Sequence, residues 1–160
     1  GQGHGWMTHF HSLPERGDGI VILTNSQRSW PFFAHILQDW AIWSGFSSPG
    51  MVLILKATRV MWGAVAGMGL ILIWQGWLLG AGLMSGRRKL DPLLPAHRLR
   101  RLAGAAASVA ILMYLAFEQL RGYSFLASIF PAVYPWLAAA MVLLAIILLL
   151  FSFFPVNQAA

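Results

Sequence analysis

Three histidines near the start of the chain, His4, His9 and His11, are the first residues whose type and spacing could do chemistry. In Trp6–Leu13, WMTHFHSL, residue types alternate, so Met7, His9, His11 and Leu13 share one strand face, and Trp6, Thr8, Phe10 and Ser12 share the other. Imidazoles on one face can hold a transition metal or carry protons. No carboxylate or further histidine stands at ligand spacing nearby in sequence, so the expected role is at the surface or in sheet packing. No metal and no cofactor is predicted. The chain has no cysteine, which removes disulfides, thiolate nucleophiles and Cys-based metal sites.

The elements that carry these histidines are legible from turn chemistry and periodicity. PERGDG (14–19) is a Pro/Gly-punctuated turn. Ile20–Leu23, IVIL, is apolar on both faces, as expected of a strand covered on both sides. Two strands joined this closely form an antiparallel hairpin over 6–24. Thr24, Asn25 and Ser26 leave it with turn and capping chemistry. From Pro31 the period becomes helical. Phe33, Ile36, Leu37, Trp40 and Trp43 form an apolar stripe, and His35, Gln38 and Asp39 take the opposite face. With Gly45 as C-terminal cap, a helix over 31–43 is predicted, its stripe laid on the hairpin. One hairpin and one helix bury too little surface to be stable alone, so residues 1–46 are expected to belong to a larger sheet.

The remainder has a different solvent. An apolar share of 58% with only 10% charged residues is a membrane composition. After a linker and membrane approach (47–59, with Lys56 and Arg59), residues 60–84 contain no charge and only Gln75 as a strongly polar side chain. That is long enough to span a bilayer core with some tilt. Gly63-x-x-x-Gly67 and Gly76-x-x-x-Gly80 allow close helix approach. A loop over 85–101, marked by Asp91, Pro92 and Pro95, leads to a second span over 102–120. A loop over 121–132 leads to a third span over 133–154, with Tyr134 and Trp136 as interfacial anchors. The predicted fold class is therefore a mainly α-helical membrane protein, with three transmembrane helices after a β-hairpin and amphipathic helix. No span carries an ionisable residue at mid-depth, which argues against a transporter. The net charge of +6 sits beside apolar spans rather than on a soluble basic-aromatic face. It therefore points to topology and the lipid bilayer and away from nucleic acid.

GQGHGWMTHFHSLPERGDGIVILTNS (1–26) resembles the end of the catalytic domain in the serine β-lactamase and penicillin-binding-protein-like hydrolases. The likeness is strongest to the branch related to class C β-lactamases and esterases. Gly5-Trp6, the turn Pro14 to Gly19, the strand Gly19 to Ser26 and the helix from Pro31 fall in that family's order. The resemblance covers about residues 1–45 and implies an incomplete α/β domain. It makes Gly1 the candidate last glycine of the family's third motif and the backbone N–H of Gln2 a candidate oxyanion-hole donor. The family's nucleophile is a serine with a lysine three residues on. Neither Lys56 nor Lys89 has such a serine, and Tyr114, Tyr123 and Tyr134 all fail Tyr-x-Asn, so no catalytic residue is expected in this chain.

The sequence starts GQGHGW, with its first methionine at Met7 and no signal-peptide pattern. It is expected to be the C-terminal part of a longer protein, whose catalytic region would be its partner. The expected function is to anchor that hydrolase on the outer side of the cytoplasmic membrane. The alternative is a non-enzymatic scaffold or assembly subunit. Six of the eleven Lys/Arg residues lie in 85–101. By the positive-inside bias that loop and the C-terminus are expected in the cytoplasm, with residues 1–50 outside.

Overall fold

Alternation in 6–13 and the β-branched run after it give the strands that the pattern requires. The computed structural model describes residues 1–3, 5–47, 49–90, 98–122 and 124–156. His4, Ser48, Asp91, Pro92, Pro95, Tyr123 and Ala160 lie outside the described residues. The elements are β1 (Gln2–Gly3), β2 (Trp6–Leu13), β3 (Asp18–Thr24), α1 (Trp30–Ser44), α2 (Leu53–Met84), α3 (Arg98–Leu120), α4 (Phe125–Ile129) and α5 (Tyr134–Phe153). A single 3-10 turn, Gly50–Val52, runs directly into α2. The chain is mainly helical, with a three-stranded sheet and three helices long and apolar enough to cross a membrane. It divides into two compact units. One contains residues 1–62 and 123–134, the other 63–122 and 135–160.

In the first unit the sheet order is β1-β2-β3, antiparallel throughout. The expected hairpin is present, with Met7 opposite Thr24 and Leu13 opposite Asp18. That register shortens the predicted six-residue turn to four, Pro14–Gly17. Arg16 N–H donates to the Leu13 carbonyl at 3.0 Å, and Gly17 takes the left-handed conformation at φ 71°. Met7 and Ile22 meet Phe33 and Leu37 of α1 in a buried cluster, flanked by Ile20, Trp30, Ile36, Trp40 and Met51. The stripe differs from the expected one in one residue. Trp43 is 85% exposed, while Ala34 and Ala41 are buried. The close backbone approaches of α1 are to Gly50–Val52 and to α4, and Trp43 lies off the buried side of the helix. Pro31 occupies the first turn and Gly45 ends the helix at φ 72°. Arg16 Nη1 donates to the Ser44 carbonyl, satisfying one end-of-helix acceptor.

The second face of the strands departs from expectation. Phe10, Val21 and Leu23 are 66%, 63% and 73% exposed, and Trp6 is nearly half exposed. The IVIL strand is thus covered on one side only. The predicted 121–132 loop also contains structure. Ser124 caps α4 by accepting from Ala127 N–H, and Ser128 Oγ donates to the Gln27 carbonyl, which ties this segment to the first unit. Val133 is fully buried there.

In the second unit the helices exceed the predicted spans at their polar ends. The first begins at Leu53, so residues 53–59 of the expected linker are helical, with Lys56 and Arg59 exposed. α3 begins at Arg98, inside the expected loop. Charge ends an apolar run without ending a helix, since Lys and Arg are good helix formers. The close approach of α3 and α5 is made by small residues. Ser108 Oγ donates to the Ala145 carbonyl at 2.8 Å, and both residues are fully buried. A side-chain carbon added at Gly104 would meet Ser152 Oγ at 2.9 Å. At the end of α2, Gly86 turns left-handed (φ 69°) and Arg88 N–H returns to the Gly82 carbonyl. Arg88 then lies against Gly82, stacks its guanidinium on Phe151 at 4.6 Å and donates to the Phe154 carbonyl at 2.8 Å. Arg101 Nε donates to the Ser152 carbonyl at 2.7 Å. Two cations from elsewhere in the unit thereby satisfy the C-terminal carbonyls of α5.

Candidate functional site

The candidate residues Gly1 and Gln2 lie on an edge strand that sequence pattern did not reveal. β1 is only two residues long and joins β2 through a two-residue connection, because Gly3 pairs with Trp6. Gly5 makes that connection possible at φ 86°, where an L side chain would be strained. Thr8 N–H donates to the Gly1 carbonyl at 2.7 Å, and the Gly1 amino group donates to the Thr8 carbonyl at 2.9 Å. Gly1 and Thr8 are therefore a hydrogen-bonded pair. The alternation of an antiparallel ladder turns the N–H of the next residue, Gln2, away from β2 toward the open edge.

Two further residues fix this edge. Gln27 Nε2 donates to the Gly3 carbonyl. The Trp6 indole lies so close over Gly3 that an added side-chain carbon would fall 2.5 Å from Nε1. Gly3 is thus glycine for lack of space. An outward N–H on a braced edge is the geometry an oxyanion donor needs. No Ser-x-x-Lys sequence occurs in the chain.

His9 and His11 face α1, on the Met7 side of β2. Their rings are 6.2 Å apart and nearly parallel. His9 packs on Phe33 at 6.0 Å, and His11 meets Trp40 edge-on at 5.5 Å and stacks on Phe46 at 6.3 Å. His9 Nε2 is buried with no hydrogen-bond partner among the described residues, as is Trp30 Nε1. Burial, then the neighbouring His11, then the amino terminus hold the His9 imidazole below its ordinary pKa of 6.5. Both histidines serve as aromatic members of the layer between sheet and helix. Among the described residues no three metal-binding side chains converge.

Sequence reasoning missed the open outer face formed by Trp6, Phe10, Val21 and Leu23. The signal was present, since a strand apolar on both faces asks for a second covering layer. Comparison of the chain with protein-family models, with curated proteins and with solved structures gives no match.

Proposed function

We propose that this chain is the membrane-anchoring C-terminal portion of a β-lactamase-like serine hydrolase, carrying the last strands and helix of its catalytic domain. In this reading the membrane helices tether and orient that domain on the outer side of the cytoplasmic membrane. The observation that carries it is the half-covered sheet. Phe10, Val21 and Leu23 stand open on one face while Met7 and Ile22 are buried on the other. A strand apolar on both faces belongs inside a layered domain, and a further layer from the rest of the hydrolase would cover it. The outward N–H of Gln2 then stays on the open strand edge, where the family places its oxyanion hole.

Three crossings agree with the internal pairings. Three spans put residues 1–50 and the 121–132 segment on one side, and Ser128 is indeed bonded to Gln27. They put the 85–101 segment and the C-terminal end on the other, and Arg88 is bonded to Phe154. The six cations of 85–101 against one acid support a cytoplasmic location for the second side. Cysteines introduced singly at Ser48, Ser85 and Ala160 are expected to react with an impermeant thiol reagent in intact cells only at Ser48. Labelling at Ser85 reverses the orientation.

The functional reading is tested by covalent labelling. The full-length protein in native membranes, detected through an antibody to this segment, is expected to take up a fluorescent penicillin or a fluorophosphonate. The 160-residue chain alone is expected to take up neither, because it lacks the serine and its activating lysine. A full-length protein without a Ser-x-x-Lys nucleophile, or unreactive with both probes, leaves the scaffold reading instead.

A further inference from the structure

Six cations fall between Ser85 and Arg101, and they divide sharply in their use. Arg88 and Arg101 are engaged with the carbonyls of Phe154 and Ser152. Arg87, Lys89, Arg98 and Arg100 are exposed. Arg87 donates only to Ser85 Oγ, at 3.0 Å, and no carboxylate pairs with any of the four among the described residues. Arg98 and Arg100 also stand in the first turn of α3, which contains no acidic residue. The helix end is itself electropositive, so cations there repel it. Burial, and after it the charge of Arg100, lower the pKa of Arg88, so the two guanidiniums feel one another. Cations gathered at the N-terminus of one helix and just past the end of another oppose each other unless an anion joins them.

We propose that Arg87, Lys89, Arg98 and Arg100 form a binding surface for the phosphate of anionic lipid headgroups at the membrane end where α2 stops and α3 starts. Position selects the lipid source. These side chains stand at the ends of two helices long and apolar enough to cross a membrane, where a bilayer would present its phosphates. Guanidinium also matches a phosphate diester in shape and hydrogen-bond geometry. Arg88 and Arg101 belong to the support of the surface, since both are held against α5. The electrostatic gain is about fivefold in association for each cation near an anionic surface, and it falls as salt screens the charges.

The test uses the full chain reconstituted in phosphatidylcholine bilayers, with trace spin-labelled phosphatidylglycerol or phosphatidylcholine reporting association by electron spin resonance. Phosphatidylglycerol is expected to be preferred by roughly fivefold or more at low salt, with the preference lost at about 1 M salt. The variant R87Q/K89Q/R98Q/R100Q is expected to bring it to parity. K56Q/R59Q, at the opposite end of α2, is expected to retain most of it. Equal association of both lipids with the unaltered chain, or a preference that survives the fourfold variant, overturns the proposal. Loss of the preference in K56Q/R59Q alone moves the site elsewhere and overturns it as well. Added inorganic phosphate is expected to change nothing, and competition by it would make the surface a soluble-anion site. Should the fourfold variant fail to insert, the salt dependence of the unaltered chain decides: a preference that persists at high salt overturns the proposal.

Discussion

The two units differ most in the largest side chains that they bury completely. In the sheet-and-helix unit the buried cluster is large and apolar, Met7, Ile22, Phe33 and Leu37. In the helical unit the fully buried residues are Ser108 and Ala145, while Leu70, Ile73, Trp74 and Trp77 are exposed. The difference follows from solvent. Water drives large apolar groups inward. Lipid gives them no reason to leave the surface, so helices associate where small residues permit contact and polar groups find partners. Each unit identifies its own medium by what it buries.

The comparison can be broken most forcefully at Phe33. Phe33→Ala is expected to cost about 3–5 kcal/mol, seen as fast amide exchange throughout Ile20–Leu23. Slow exchange in α3 and α5 should be unchanged, and a loss there as well would deny the independence of the two units. Adding bulk is the corresponding test in lipid. Gly104→Leu forces side-chain atoms onto Ser152 and the Leu148 carbonyl and is expected to cost about 1–3 kcal/mol. Unfolding in mixed detergent–lipid micelles measures it. Resistance equal to the unaltered chain would show that the α3–α5 approach contributes nothing.

Smaller effects sharpen the same contrast. Gln75 Oε1 is buried in α2 with no hydrogen-bond partner among the described residues. Gln75→Leu is expected to stabilise the helical unit by about 1 kcal/mol, read in the same micelle assay, and a loss of stability would mean that the amide has a partner in the membrane. The last effect is confined to the first unit. The folded state keeps His9 less protonated than the unfolded chain does, so unfolding takes up a proton as pH falls below 6.5. Stability contributed by neutral His9 is therefore complete above that pH and declines below it, until the folded-state pKa is passed. His9→Phe should flatten the dependence of amide exchange at Ile20–Leu23, and an unchanged pH profile would assign the effect to another group.

The sequence made the strong periodicities readable and little else. Alternation over 6–13 placed the first strand of the hairpin, because side-chain direction in a strand is a strict two-fold pattern, while the turn came out two residues too long. β1 was invisible, since Gln2–Gly3 has no period and is held by a tight turn and a Gln27 side chain. The misplacement of Trp43 has a related cause. Apolar spacing weights large residues, whereas close packing on α1 selected Ala34 and Ala41. Helix ends at Leu53 and Arg98 escaped a search for uncharged runs. The engagements of Arg88 and Arg101 were also out of reach, as carbonyl acceptors leave no mark on side-chain pattern.

The hold of Arg88 on Phe154 also has a consequence in time. The two residues are 66 positions apart, so at ribosomal rates of roughly 5–20 residues per second the acceptor emerges several seconds after the guanidinium. Until then Arg88 has only water and headgroups as company, and α2 and α3 wait without their final brace. The clasp therefore closes only after α2, α3 and α5 have all been made. A ribosome that stalls before Ser152 leaves Arg88 and Arg101 without these two carbonyls of α5.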